Sequence, residues 1–154
     1  MLHKVFSATV LLFLFVSLAG AEQIDDQLFK ALYQRDEAVV KMLIEKGANV
    51  NAVGNYGWTP LMVAAEKGLY ATARLLIKYG AEVNVRNVGG VTPLMWAVSM
   101  REEWPDSVKL VRLLIASGAD VNAKTNLGKT ALSWAKEYNH KEMIEILLEA
   151  GAKE

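Results

Sequence analysis

The chain has 154 residues, 53% of them hydrophobic and none of them cysteine, with 17 basic side chains against 17 acidic ones. That length supplies one compact domain. Balanced charge leaves no basic field for a nucleic-acid backbone, and the missing cysteines exclude disulfides, thiolate catalysis, cysteine-ligated zinc and lipidation of an N-terminal cysteine.

The chain opens with MLHKVFSATVLLFLFVSLAGAEQ. Lys4 precedes an apolar run from Val5 to Leu18, and Ala19, Gly20 and Ala21 follow before Glu22. A positive start, an apolar run shorter than the roughly 20 residues of a spanning helix, and small residues one and three positions before a cut are the features of a secretory signal peptide. Residues 1–21 are expected to be that peptide, cleaved after Ala21, with retention as a membrane anchor as the alternative.

Beyond this segment the chain repeats itself. DDQLFKAL and MLIEKGANVNA are followed by WTPLMVAAEKG with LLIKYGAEVN, then VTPLMWAV with LLIASGADVNA, and last KTALSWA with ILLEAGA. Thr59 and Thr92 lie 33 residues apart, as do Gly47 and Gly80, a period that points to a stacked array. From Thr92 to Thr130 and from Gly80 to Gly118 the step is 38, and from Gly118 to Gly151 it is 33 again, so one unit holds five extra residues. They fall within SMREEWPDSVKL at 99–110, where Pro105 is placed to open a helix and Trp104 to lie at the end of the array away from the hairpin tips.

Each unit reads as two short helices. Thr-Pro starts the first, since threonine caps it and proline suits its first turn, and Leu61, Ala64 and Ala65 share one side. The second carries Leu75, Leu76 and Ile77 and stops at Gly80, as its counterparts stop at Gly47, Gly118 and Gly151. EVNVRNVGG at 82–90 suits an extended segment and a tight turn. One unit cannot bury these faces alone, so the units must stack.

In these motifs the chain resembles the ankyrin repeat family over almost all of residues 22–154. The resemblance implies an all-α repeat solenoid of helix-turn-helix units joined by β-hairpin loops, with four units at about 25–57, 58–90, 91–129 and 130–154. The first unit lacks TPL and the last lacks its finger, as end caps would. Where the family has histidine after TPL, this chain has Met62, Met95 and Ser133, and where the family has a hairpin aspartate it has Gly54, Asn87 and Thr125. Methionine there is expected to be adaptable core packing rather than a ligand.

No nucleophile elbow, phosphate-cradling loop, HExxH pair or EF-hand loop is present. His140 with Glu142 and Glu145 is the nearest approach to a site, as a cryptic hydrolase or metal centre, but histidine at a helix-helix turn suits a structural role. Trp96 and Trp134 occupy the repeat position of Val63 and read as core. No enzyme activity, cofactor or metal is expected.

The resemblance also implies one concave surface made by hairpin tips and the exposed ends of the first helices. On this chain it would hold Tyr33, Tyr56, Trp58, Glu66, Lys67, Val88, Val91, Met100, Leu127, Lys129 and Tyr138. Aromatic residues and methionine at such positions are the types enriched where proteins bind proteins. The expected function is that of a monomeric, non-catalytic protein-binding module of the bacterial periplasm, holding, protecting or regulating an envelope protein. A secreted effector that binds a host protein is the alternative. Neither nucleic acid nor, after cleavage, the membrane is an expected partner.

Overall fold

A computed structural model describes residues 20, 23–99 and 106–153. The expected signal peptide apart from Gly20, the cleavage junction at Ala21, and the inserted stretch with Met100, Trp104 and Pro105 lie outside the described residues.

Helices come in pairs. The first unit has α1 at 23–34 and α2 (Glu37–Glu45), the second α3 (Pro60–Glu66) and α4 (Tyr70–Lys78), the third α5 (Pro93–Ser99) and α6 (Ser107–Ala116), and the fourth α7 (Ala131–Glu137) and α8 (Lys141–Glu149). The first helices form one layer, in which α3 packs on α5 and α5 on α7. The second helices form another, running α2, α4, α6, α8. The hydrophobic core lies between the layers and runs the length of the stack, from Leu28 and Leu32 through Leu61, Leu76, Leu94 and Leu114 to Leu132 and Leu147.

The sequence sets both ends of these helices. Thr59, Thr92 and Thr130 accept hydrogen bonds at Oγ1 from the backbone N–H groups of Met62, Met95 and Ser133, satisfying donors that the first turn leaves open. Ser133 also accepts the Thr130 N–H at its own Oγ, 2.9 Å away, which completes a capping box where its counterparts are methionines. Met62 and Met95 are buried in the core, as expected of packing residues. At the other end, Gly47, Gly80, Gly118 and Gly151 all have φ between 90° and 94°, and each following alanine N–H reaches back to a buried leucine carbonyl. That left-handed residue with its reverse bond ends the helix without stranding the last carbonyls.

The units are tied by a ladder of asparagines. Asn51 donates from Nδ2 to the Gly80 carbonyl at 2.9 Å and accepts from the Glu82 N–H at 2.8 Å. Asn84 does the same to Gly118 and Asp120, and Asn122 to Gly151 and Lys153. At the start of the array Asp25 takes over half of this role, its carboxylate accepting the Asn49 N–H two residues past Gly47 at 2.7 Å. Each asparagine thereby fixes the helix end of the next unit.

The loops between units are hairpin-shaped fingers. Single bonds close them, from Gly54 N to the Trp58 carbonyl, Asn87 N to Val91 and Thr125 N to Lys129. No regular strand forms among the described residues, because neighbouring fingers meet through individual contacts such as Val88 N to the Tyr56 carbonyl and Asn126 N to Gly89. Asn87 and Thr125 replace the family's aspartate in kind: Asn87 Oδ1 accepts from Gly89 and Val91, and Thr125 Oγ1 from Leu127 and Lys129. Gly90 is required by space as well as by its φ of 75°, since a Cβ there would stand 2.7 Å from Asn126 Oδ1 and 2.8 Å from Arg86 Nη2.

Two substitutions separate core from ladder. Leu76→Ala empties a wholly buried position in α4 and is expected to cost about 2–5 kcal/mol. Asn84→Ala leaves the Gly118 carbonyl and Asp120 N–H to water and is expected to cost about 1–3 kcal/mol. Urea unfolding monitored by circular dichroism reads both, and a loss for Asn84→Ala below about 0.5 kcal/mol would show that water replaces the ladder.

Candidate binding face

The fingers and the exposed ends of α1, α3, α5 and α7 present one face, and the structure sorts the expected surface residues on it. Tyr33, at the end of α1, and Tyr56 and Trp58, in the finger before α3, line a single pocket of about 380 Å³. Asp26, Phe29, Gly54 and Asn55 complete it. Asp26 and Phe29 were not among the expected residues, although they lie seven and four positions before Tyr33 and so share its helix face. Gly54 also gains its explanation here, because a Cβ at that position would press within 3.2 Å of the Phe29 ring.

Glu66 and Lys67 join the same end of the face. Their side chains pair at 3.2 Å, and Lys67 Nζ stands 5.8 Å from the centre of the Tyr33 ring, within range of a cation–π interaction. Val88 and Leu127 sit at the next two finger tips, with Tyr56 at the first. All three are conspicuously solvated, at 77% exposed for Tyr56, 67% for Val88 and 89% for Leu127. Val91 behaves differently: it is half-buried and packs on the core, so it belongs more to the scaffold than to the surface. In the last unit Lys129 pairs with Glu137 at 2.8 Å, and Tyr138 stacks on His140 at 5.7 Å. Met100 lies outside the described residues.

The two tryptophans expected in the core pack against it but are not enclosed by it. Val63, their counterpart, is fully buried, but Trp96 and Trp134 are half-buried and extend the surface aromatic row. Trp58 and Trp96 lie 4.6 Å apart between ring centres, and Trp96 meets Trp134 edge-on at 6.1 Å. An indole is too large for the gap that valine fills, so its ring emerges beside that of the next unit. Among the described residues the Trp96 Nε1 is buried without a hydrogen-bond partner. Trp58, expected on the concave surface, is part of this row and packs against the core.

Tyr56, like Arg35 and Asn139, has a left-handed backbone, and it alone of the three carries an aromatic ring. Its φ of 56° is left-handed, a region that costs an ordinary L-residue roughly 1–2 kcal/mol. Asparagine or glycine would hold this turn with less strain, yet the ring here points into solvent and packs little.

His140 does not form a reactive centre with its acidic neighbours. Its ring is buried and its Nδ1 lies 3.0 Å from the Val98 carbonyl of the preceding unit, whereas Glu142 and Glu145 are exposed. Among the described residues no group of three His, Cys, Asp or Glu side chains is placed to hold a metal ion. Asp106 raises the pKa of Lys109 through a 2.8 Å hydrogen bond and its charge, an exposed pair at the start of α6. No helix among the described residues is long and apolar enough to cross a membrane.

Paired helices, glycine stops and cross-linking fingers define a helical repeat solenoid. The sequence model for ankyrin repeats, described as three copies, matches residues 7–87, 28–125 and 86–154. The chain belongs to the ankyrin repeat family. Ankyrin repeats are protein–protein interaction modules and are typically non-catalytic. Among curated proteins none matches the chain.

The tryptophan row makes a stability prediction. Trp96→Ala removes a ring held between two others and is expected to cost about 2–4 kcal/mol, with Trp58→Ala costing about half of that. Trp96→Phe keeps an aromatic ring and removes the unpartnered N–H, whose desolvation is worth about 1–3 kcal/mol, so its melting midpoint is expected close to that of the natural protein. Equal losses for Trp96→Phe and Trp96→Ala would show that Trp96 Nε1 has a partner.

Proposed function

We propose that the protein is exported to the bacterial periplasm and there, as a monomer, binds an envelope protein through its finger and inner-helix face, holding or regulating it without chemistry of its own. The observation that carries this reading is Tyr56: a strained backbone supports a ring that is 77% exposed and contributes little to the fold. Around it, Tyr33, Trp58 and Trp96 provide the large amphipathic rings that dominate protein interfaces. Trp58 and Trp96 also pack on the core, whereas the exposed rings of Tyr33 and Tyr56 are the ones a partner is free to select.

Export is the reading of the N-terminal segment, whose positive start, apolar run and Ala19-Gly20-Ala21 suit a signal peptidase. Release beyond the outer membrane, to act on a host protein, is the competing destination and shares the same binding face.

The test is a cross-linked pull-down from periplasmic extract beside a Tyr33→Ser, Tyr56→Asn double variant. Tyr56→Asn relieves the left-handed strain by about 1 kcal/mol, which offsets the Tyr33–Lys67 contact that Tyr33→Ser removes, and an unchanged melting midpoint separates loss of capture from a folding defect. One envelope protein retained by the natural chain and lost with the variant is the expected result. Equal retention by both baits would overturn the assignment of the face, and recovery of the mature chain from culture medium rather than periplasm would overturn the compartment.

A further inference from the structure

We infer that the pocket at the first finger receives an arginine side chain of the bound protein; this rests on the partner-binding reading above and names the chemistry it recognises. The pocket brings together two kinds of group. Phe29, Tyr33, Tyr56 and Trp58 offer aromatic rings, and Asp26 and Asn55 offer polar oxygens, in a recess of about 380 Å³. Aromatic faces attract cations through their quadrupole, most strongly cations that shed water easily. Asp26 supplies the countercharge: it is exposed and makes no ion pair with the described residues. Glu66 and Lys67, beside Tyr33, pair with each other at 3.2 Å, and Asp26 is the one charged side chain among the described residues that line the recess, so a carboxylate sets the field an entering group meets there.

Three cations fit that field, and the remaining chemistry separates them. A quaternary ammonium satisfies the rings but has no N–H for Asp26 or Asn55. A lysine ammonium has donors but is a compact, strongly hydrated charge that loses more on leaving water. Guanidinium is planar, weakly hydrated and carries five donors in a fork that matches a carboxylate, so it stacks on the rings while it bonds Asp26. The recess is also open, bordered by the solvated Tyr33 and Tyr56, which suits a side chain presented by a folded partner.

Three short peptides, acetylated and amidated and differing only in a central arginine, citrulline or trimethyl-lysine, provide the test. Each is titrated into the purified protein while the indole N–H signal of Trp58 is followed by NMR. The arginine peptide is expected to move that signal saturably in the millimolar range, the neutral citrulline peptide not to move it, and Asp26→Asn to weaken arginine binding by about tenfold. Binding of citrulline as tight as that of arginine, no saturable shift with arginine, or an unchanged affinity in Asp26→Asn would overturn the inference. Tighter binding of trimethyl-lysine would overturn the assignment of guanidinium. A partner captured equally by the natural protein and by Asp26→Asn would also overturn it while leaving the partner-binding reading intact, whereas a partner lost only with Tyr33→Ser, Tyr56→Asn would locate recognition in the rings alone.

Discussion

The asparagine ladder is the constraint on which the rest of the molecule depends. The glycine that ends each of α4, α6 and α8 presents its own carbonyl outward, and that carbonyl is met by an amide from the unit before it, through Asn51, Asn84 and Asn122. The same amide oxygen takes the N–H two residues on, so one side chain sets both the position and the orientation of the next unit. Helices of seven to ten residues are too short to persist alone in water. Their stability comes from packing against neighbours, and the ladder sets the register in which that packing occurs.

Once the register is fixed, the inner layer has little freedom. Ala64, Ala65, Ala97 and Ala135 allow the first helices to approach closely, while Leu76, Leu114 and Leu147 fill the space behind them. Function is then confined to positions that neither ladder nor core uses. The aromatic row from Trp58 to Trp134 stands between the two roles: its rings pack on one another and on the core, yet remain partly open to solvent. Such rings are already ordered before a partner arrives, which lowers the entropy lost on binding. The exposed Tyr56 and Tyr33 extend the same surface at the end where a carboxylate adds charge.

How far the sequence foretold this varies by residue. Thr59, Thr92 and Thr130, the four glycine stops and the buried methionines all behave as their local patterns require, because capping and helix ending depend on residues only a few positions apart. Tyr33, Tyr56 and Trp58 were legible as surface candidates from their place in the repeat. Asp26 and Phe29 were overlooked although spacing along α1 puts them beside Tyr33, since the opening unit lacks the TPL motif by which the others were aligned. Trp96 and Trp134 pack on the core as expected yet stay partly open, because helical spacing gives a direction but not the size of the space available there.

The sequence by itself determined the repeat, its period, the limits of most helices, the balanced net charge and the lack of cysteine, since these follow from composition and from contacts between near neighbours. Only the tertiary structure decided which carbonyl each asparagine reaches, that three indoles from successive units form one row, and that Asp26 shares a pocket with the rings of Tyr56 and Trp58 in the following finger. Those pairings join residues roughly one repeat apart, and their geometry exists only when the units have stacked.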